Sequence, residues 1–367
     1  MSVGQVFPEQ YSEQLTDKVS AVQQLLSDFN APSAEVFCSE PAHYRLRAEF
    51  RIWHNGDDIY HAMFDSQTRE KVRIDYFPVA CRTIADFMPQ LLENIQFNHE
   101  LRYKLYQVDY LATLSGELLV SLIYKRPLTN SWLEQAKQLT DKLAGQYKVK
   151  FIGRSRKQKL MVSTDYVTEQ FELDGQPLQY QQVEGSFTQP NGEVNRHMLG
   201  WAKKVAQQLS GDLLELYCGN GNFSLALAPY FDQVVATEIA RSSIRCAEYN
   251  IALNQISNVR VLQMSAEDVA AALQQGTTLK QLDLADMQLN TVLVDPPRAG
   301  LDSDTEQLVS RFNDIIYISC NPQTLAQNLQ TLSKTHDVLQ LAVFDQFPYT
   351  SHIESGVWLR KRQASQE

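Results

Sequence analysis

The segment DIIYISCNPQTLAQNL carries a thiol in an unusual place. Its apolar run ends at Cys320, and Asn321-Pro322 reads as a helix N-cap followed by proline at the first helical position. A thiol there faces unpaired N–H groups and the positive end of a helix, so the sequence predicts a lowered pKa and a reactive thiolate. Most free cysteines are inert core residues. Position at the C-terminal edge of a sheet singles out Cys320, whereas Cys218 and Cys246 read as a buried strand end and a helix residue.

Two other segments end strands at the same edge. LLELYCGNGNFSLALA reads as strand, glycine turn and helix, with Gly219 and Gly221 letting the backbone turn tightly against a ligand. Seventeen residues beyond Gly221, the run VVATE ends in Glu238, placed to accept hydrogen bonds from two ribose hydroxyls. A dinucleotide and S-adenosylmethionine fit this pattern almost equally, although Ser224 stands where a dinucleotide fingerprint has its third glycine. In TVLVDPPRAG, Asp295 leaves its strand at the switch-point cleft and two prolines make the following backbone a rigid lip. Arg298 suits a phosphate contact or a plain surface arginine, and the sequence leaves both open.

The elements that must hold these groups come from a βαβα rhythm. From about residue 180, the runs LLELYC, QVVATEI, VRVLQM, TVLVDPP and DIIYISC alternate with helical patterns, which predicts a parallel sheet covered by helices on both faces. The first half differs. Tyr11, Leu15, Val19, Val22, Leu26 and Phe29 predict an amphipathic packing helix, and RLRAEFRIW alternates as a half-buried strand with a basic outer face. An Asn55-Gly56 turn and return strand follow, then strand-like QVDYLATL and ELLVSLIY, and the helical SWLEQAKQLTDKLAG. Two domains are therefore expected: 1–180, a helix plus a mixed α+β domain rich in antiparallel strands, and 181–367, an α/β domain.

Composition narrows the class further. The 367 residues carry 33 Lys+Arg against 43 Asp+Glu, a net charge of −10. That argues against a nucleic-acid binder held by bulk charge. Residues 211–310 alone account for −8, while 148–160 holds six basic residues and no acid. Five dispersed cysteines and seven histidines show no zinc or iron–sulfur spacing, and reduced thiols fit the cytoplasm. The first residues lack the basic and apolar regions of a signal peptide, and no apolar stretch approaches the ~20 residues of a membrane span.

The strings SCNPQTL and DPPRAGL, with the tail FDQFPYTSHIESGVWL, resemble the RNA 5-methyluridine methyltransferase family. HYRLRAEFRIWHNGDDIYHAMFD and near-collinear similarity over essentially the whole chain resemble its tRNA branch; the TRAM domain and four-cysteine cluster of ribosomal RNA relatives are missing from the sequence. The resemblance implies a Rossmann-like class I S-adenosylmethionine-dependent methyltransferase domain behind an N-terminal RNA-binding domain. It implies methylation of C5 of uridine 54 in the tRNA T-loop, extending to tmRNA, without metal or iron–sulfur cluster. It further implies Cys320 as nucleophile, Glu354 as general base, and Gln189, Tyr217, Asn222, Glu238 and Asp295 as contacts to S-adenosylmethionine.

That chemistry explains the residue types. Uracil C5 is a poor nucleophile until a thiolate adds at C6, and a base must later remove the C5 proton. His352 competes with Glu354 for that role. A base stacked inside folded tRNA must also be extruded, and Arg51, Tyr106 and Lys157 are the candidates to offset the cost through stacking and phosphate contact. The rival readings are a C5-methyltransferase of ribosomal RNA uridine or of cytosine, and a tRNA-binding or folding factor with secondary catalysis. DPPR lacks the second cysteine after proline that a cytosine enzyme would carry.

Overall fold

Apolar residues spaced three and four apart build α1 (Tyr11–Leu25), and the short β1 (Glu35–Phe37) follows. The alternating segment then forms β2 (Arg47–Asn55), β3 (Asp58–Phe64) and β4 (Lys71–Ile74). Asn55 pairs with Asp58, so the hairpin turns on Gly56 and Asp57, one residue beyond the expected pair. Gly56 supplies the left-handed φ of 61° that this turn needs. Next come α2 (Arg82–Ile95), α3 (His99–Arg102), β5 (Leu105–Ala112), β6 (Glu117–Tyr124), α4 (Asn130–Leu143), β7 (Lys148–Ser155) and β8 (Gln158–Met161). Together they complete a seven-stranded sheet of order β4-β3-β2-β5-β6-β7-β8. Phe50, Ile52, Val108, Tyr110 and Leu122 of this sheet share one buried cluster with Phe87 and Leu91 of α2 and Trp132 of α4.

The chain continues through β9 (Tyr166–Leu173), β10 (Gln176–Val183), α5 (Gly192–Ala206), β11 (Asp212–Leu216), α6 (Asn222–Leu227), β12 (Val234–Glu238), α7 (Arg241–Leu253) and β13 (Val259–Gln263). The last elements are α8 (Ala266–Gln275), β14 (Leu289–Val294), α9 (Ser303–Val309), β15 (Asp314–Ser319), α10 (Pro322–Leu332), β16 (His336–Phe344) and β17 (Glu354–Lys361). As the rhythm predicts, β13-β12-β11-β14-β15 pair in parallel. The sheet also gains strands that the sequence reading did not assign. Strand β17 runs antiparallel between β15 and β16, and β1 joins β16 in parallel, giving the order β1-β16-β17-β15-β14-β11-β12-β13.

The computed structural model describes residues 4–65, 67–275 and 287–363. Helix α1 packs differently from its place in the sequence: Val22 and Leu26 join Ile315, Leu325 and Leu341 in the core of the eight-stranded sheet. Contacts accordingly divide the chain into interleaved units. One comprises Met1–Glu9, Glu40–Phe171 and Gln181–Glu193; the other comprises Gln10–Ser39, Glu172–Tyr180 and Val194–Glu367. Among the described residues, no helix is long and apolar enough to cross a membrane.

Candidate active site

The chemistry-bearing residues of the second unit gather because parallel strands end at one edge. Tyr217, Asp295 and Cys320 directly follow β11, β14 and β15, and Glu238 closes β12. The antiparallel β17 brings a residue from the far end of the sequence to the same place. Ser319 pairs with Ser355, so Glu354 at the start of β17 lies beside Cys320. A parallel strand would begin at the opposite edge and carry Glu354 away from the thiol. Helix α10 starts as expected: Asn321 caps it by accepting from Gln323 N at 3.2 Å, and Pro322 takes the first helical position. The lip after Asp295 is fastened to that helix, for Asn321 Nδ2 and Thr324 Oγ1 donate to the Arg298 carbonyl at 3.1 and 3.3 Å.

Burial dominates the electrostatics of this edge. Desolvation, with the charges of Glu354 and Asp295 added, pushes the Cys320 thiol up to about 11. The helix N-terminus was expected to lower it. Two nearby carboxyls and partial removal from water outweigh that dipole, so the thiol of the free protein keeps its proton. Arg298 pulls the other way and assists the thiolate. Glu354 is only 5 % exposed, and burial together with Asp295 raises its carboxyl to about 8. Asp295 is itself raised to about 7 by desolvation. His352, the competing base, sits with its ring edge-on to Phe347 at 5.9 Å between centroids.

Groups suited to a nucleoside-bearing cofactor follow β11 and close β12 at the same edge. Gly219 has φ of 57° and nothing within 4 Å of where a Cβ would stand, an open cradle that a side chain would fill. Gly221 is required for a second reason: with φ of 83°, a Cβ there would meet Leu225 at 2.5 Å. The Glu238 carboxylate is fixed by N–H donors from Gly219 at 3.1 Å and from Ile239 and Ala240 at 2.8 Å, which leaves it aimed across the turn. Ile239, 66 % exposed, offers an apolar wall. Asn222 and Asn195 exchange amide bonds at 2.9 and 3.1 Å, and Tyr180 Oη donates to the Asn222 carbonyl at 3.0 Å. Open space at a glycine, a fixed acid and an apolar wall fit the ribose and adenine of S-adenosylmethionine.

Sequence reasoning missed Glu215, an acid within the apolar run LLELY. It is fully buried on β11, accepts a hydrogen bond from Ser224 Oγ, and is raised to about 8 by desolvation with help from Asp295. Among the described residues, no three His, Cys, Asp or Glu side chains are grouped to hold a metal ion.

The remaining candidates belong to the first unit. Gln189 precedes a tightly fitted turn, where Leu46 N donates to Pro190 O at 2.7 Å and a Cβ on Gly192 would meet Leu46 at 2.6 Å. Arg51 and Tyr106 come together on the face of the sheet opposite its core, with the guanidinium carbon 4.1 Å from the ring centroid. Lys125, which the sequence reading overlooked at the end of β6, lies 3.6 Å from the same centroid. Lys157 is apart from this group, exposed at the β7–β8 turn with φ of 59°. Much of the basic run around it is neutralised: Lys150 pairs with Glu117, Arg154 with Glu184, and Lys159 with Asp165 and Glu184.

Comparison with known proteins adds a family to this geometry. The sequence profile described as tRNA (Uracil-5-)-methyltransferase matches residues 10–362. A tRNA/tmRNA (uracil-C(5))-methyltransferase of Shewanella amazonensis is 52% identical over 358 residues, covering 97% of this chain and 98% of the relative. Its counterpart from Pectobacterium carotovorum is 53% identical over 359 residues, again covering 97% and 98%. Among solved structures, the Pyrococcus abyssi tRNA (uracil-54, C5)-methyltransferase in complex with S-adenosyl-L-homocysteine aligns with TM-score 0.70. It is 22% identical, and the alignment covers 95% of this chain and 83% of that one, a likeness of fold.

Proposed function

The chain belongs to the tRNA (uracil-5-)-methyltransferase family, and from that premise we propose that it methylates C5 of uridine 54 in the T-loop of tRNA, and the equivalent uridine of tmRNA. The observation that supports this reading most is the pairing of β15 with β17, which sets a thiol and a desolvated carboxyl side by side at the edge that also carries Asp295. When bound, S-adenosylmethionine supplies an electrophilic methyl group. Glu238, Asp295, Tyr217, Asn222 and Gln189 are the residues we assign to holding it.

Cys320 Sγ, once deprotonated, adds to C6 of the uracil, and the C5=C6 pair shifts toward O4 to leave an enolate nucleophilic at C5. After C5 takes the methyl group, Glu354 accepts the C5 proton; the C5=C6 bond re-forms and the C6–S pair returns to Cys320. A carboxyl raised to about 8 matches this task, since its ionised form is basic enough to take a carbon-bound proton near neutral pH. Extrusion of the base costs a few kcal/mol. We assign Arg51, Tyr106 and Lys157 to offset that cost by stacking and phosphate contact, in a protein we place in the cytoplasm, where its five cysteines form no disulfide.

Transcripts containing 5-fluorouridine test the chemistry, because fluorine cannot leave as a proton. The expected product is a denaturant-stable protein–tRNA complex formed only when Cys320 and S-adenosylmethionine are both present. Active protein that never forms it would remove Cys320 from the mechanism. Mapping labelled methyl groups to nucleoside and position in total RNA checks the substrate.

A further inference from the structure

Helix α1 was expected only to pack, yet its polar residues hold the segment that delivers Glu354. Strands β16 and β17 are joined by residues 345–353, and the pair that closes this connection is Phe344 with Glu354. Asp345, fully buried, begins it. Lys18 Nζ donates to Asp345 Oδ1 at 2.7 Å and to the Phe347 carbonyl at 2.9 Å. Gln14 works in both directions: its Nε2 donates to Asp345 Oδ2 at 3.1 Å, and its Oε1 accepts from Tyr349 N at 3.3 Å. Tyr349 has φ of 61°, a left-handed conformation that a bulky residue rarely adopts, so the bond from Gln14 holds an otherwise disfavoured turn. Tyr11 adds an edge-on ring contact to Tyr349, with centroids 6.1 Å apart, and accepts from Ser39 N at 2.6 Å.

We propose that Gln14 and Lys18 are positioning residues for the proton-abstraction step: by fixing Asp345, Phe347 and Tyr349 they set the carboxyl of Glu354 against the C5 proton. The inference rests on Glu354 being the base. Surface helices that merely cover a core bury apolar residues and leave their charges in water. Here the Lys18 side chain is only 9 % exposed and that of its partner Asp345 not at all, a costly arrangement unless both charges are paired and hydrogen-bonded. The three residues bound by Gln14 and Lys18 all lie in one nine-residue connection that ends next to the base.

The test separates adduct formation from adduct release. In the full-length protein, Lys18→Met and Gln14→Met are expected to bind S-adenosylmethionine with unchanged affinity and to trap 5-fluorouridine tRNA at the normal rate. With natural tRNA they are expected to release product about 10²-fold more slowly, the scale set by a displacement of about 1 Å. Methylated covalent complex should therefore accumulate on denaturing gels. Should Lys18→Met fail to fold, Gln14→Met decides the matter, because it removes both amide bonds and keeps the buried ion pair. Normal release in Gln14→Met, or loss of trapping and release in equal proportion, overturns the proposal. Glu354→Gln is the control. If it too shows no accumulation, the base assignment itself fails; if it accumulates complex while Gln14→Met does not, only the role of α1 falls.

Discussion

The edge of the eight-stranded sheet and the face of the seven-stranded sheet that carries Tyr106 use charge in opposite ways. At the edge, burial retains protons: Cys320, Glu354, Asp295 and Glu215 all have raised pKa values. On that face, half-buried Arg51 and exposed Lys125 lie against the ring of Tyr106. A desolvated group is a chemical reagent whose proton can be moved. A cation stacked on an aromatic ring suits a polyanion with flat bases, the role proposed for this face. The contrast predicts that edge variants change rates and pH profiles, whereas face variants change affinity and salt dependence.

The largest effect should come from the edge. Cys320→Ala is expected to lower methyl transfer on the order of 10⁵-fold or more, as loss of a covalent nucleophile does. Binding of S-adenosylmethionine, followed by calorimetry, should stay within about twofold. Substantial turnover by this variant would mean that the edge acts by positioning alone.

Proton retention supplies the next effect. Glu354 raised to about 8 is protonated below that pH, so product release should rise as pH increases through about 8 and level off above it. Rapid-quench measurements across pH 6–9.5, an interval of about three to four units around that value, would show the limb, and its persistence in Glu354→Gln would assign it to another group. Stability runs the other way. Glu215 binds its proton more tightly folded than unfolded, so its contribution is complete below about 4.5 and is lost as pH rises through about 8. Glu215→Gln, scanned by thermal unfolding, should flatten that decline and leave Tm a few degrees above the parent at about pH 9.

How much of this was legible follows the same division. The parallel strands announce themselves as apolar runs, and Asp295 and Cys320 just after them can be placed at one edge from topology alone, whereas Tyr217 comes only from the family resemblance. Glu354 cannot be so placed, because its place depends on β17 running antiparallel into the sheet, a pairing set by tertiary contacts that no local period encodes. The direction of the Cys320 shift was also hidden. Sequence reveals the helix start but not the burial and the neighbouring carboxyls that together reverse its effect. Helix α1 was found by periodicity, while its partners lie more than 300 positions away: Gln14 with Asp345 is separated by 331 residues. On the other sheet, residue type alone marks Arg51 and Tyr106, and Lys125 carries no such mark because a lysine after LLVSLIY looks like any strand exit.

The face carries the smaller predictions. Tyr106→Ala should weaken tRNA binding by about 5- to 150-fold, the range of about 1–3 kcal/mol for a lost base stack, with kcat at saturating tRNA unchanged. A fall in kcat without a change in KM would move Tyr106 from contact surface to reaction machinery and erase the contrast between edge and face.

Lys157 should give the smallest effect. It sits at the exposed β7–β8 turn, beyond β6 from the Arg51–Tyr106 stack, among basic residues that are mostly paired with acids. Its contribution would be that of one phosphate contact. Such a contact adds a slope of about −0.7 to −0.9 to log K against log salt and depends little on sequence. Lys157→Ala should therefore weaken tRNA binding about 3-fold or less in moderate salt, the size of a partly screened charge pair. Titrations at several salt concentrations should find the slope reduced by about one unit. An unchanged slope would leave Lys157 as a solvated turn residue and confine RNA contact on this sheet to the aromatic–cation stack. A loss as large as that of Tyr106→Ala would instead extend the contact surface across β6 to the far hairpin.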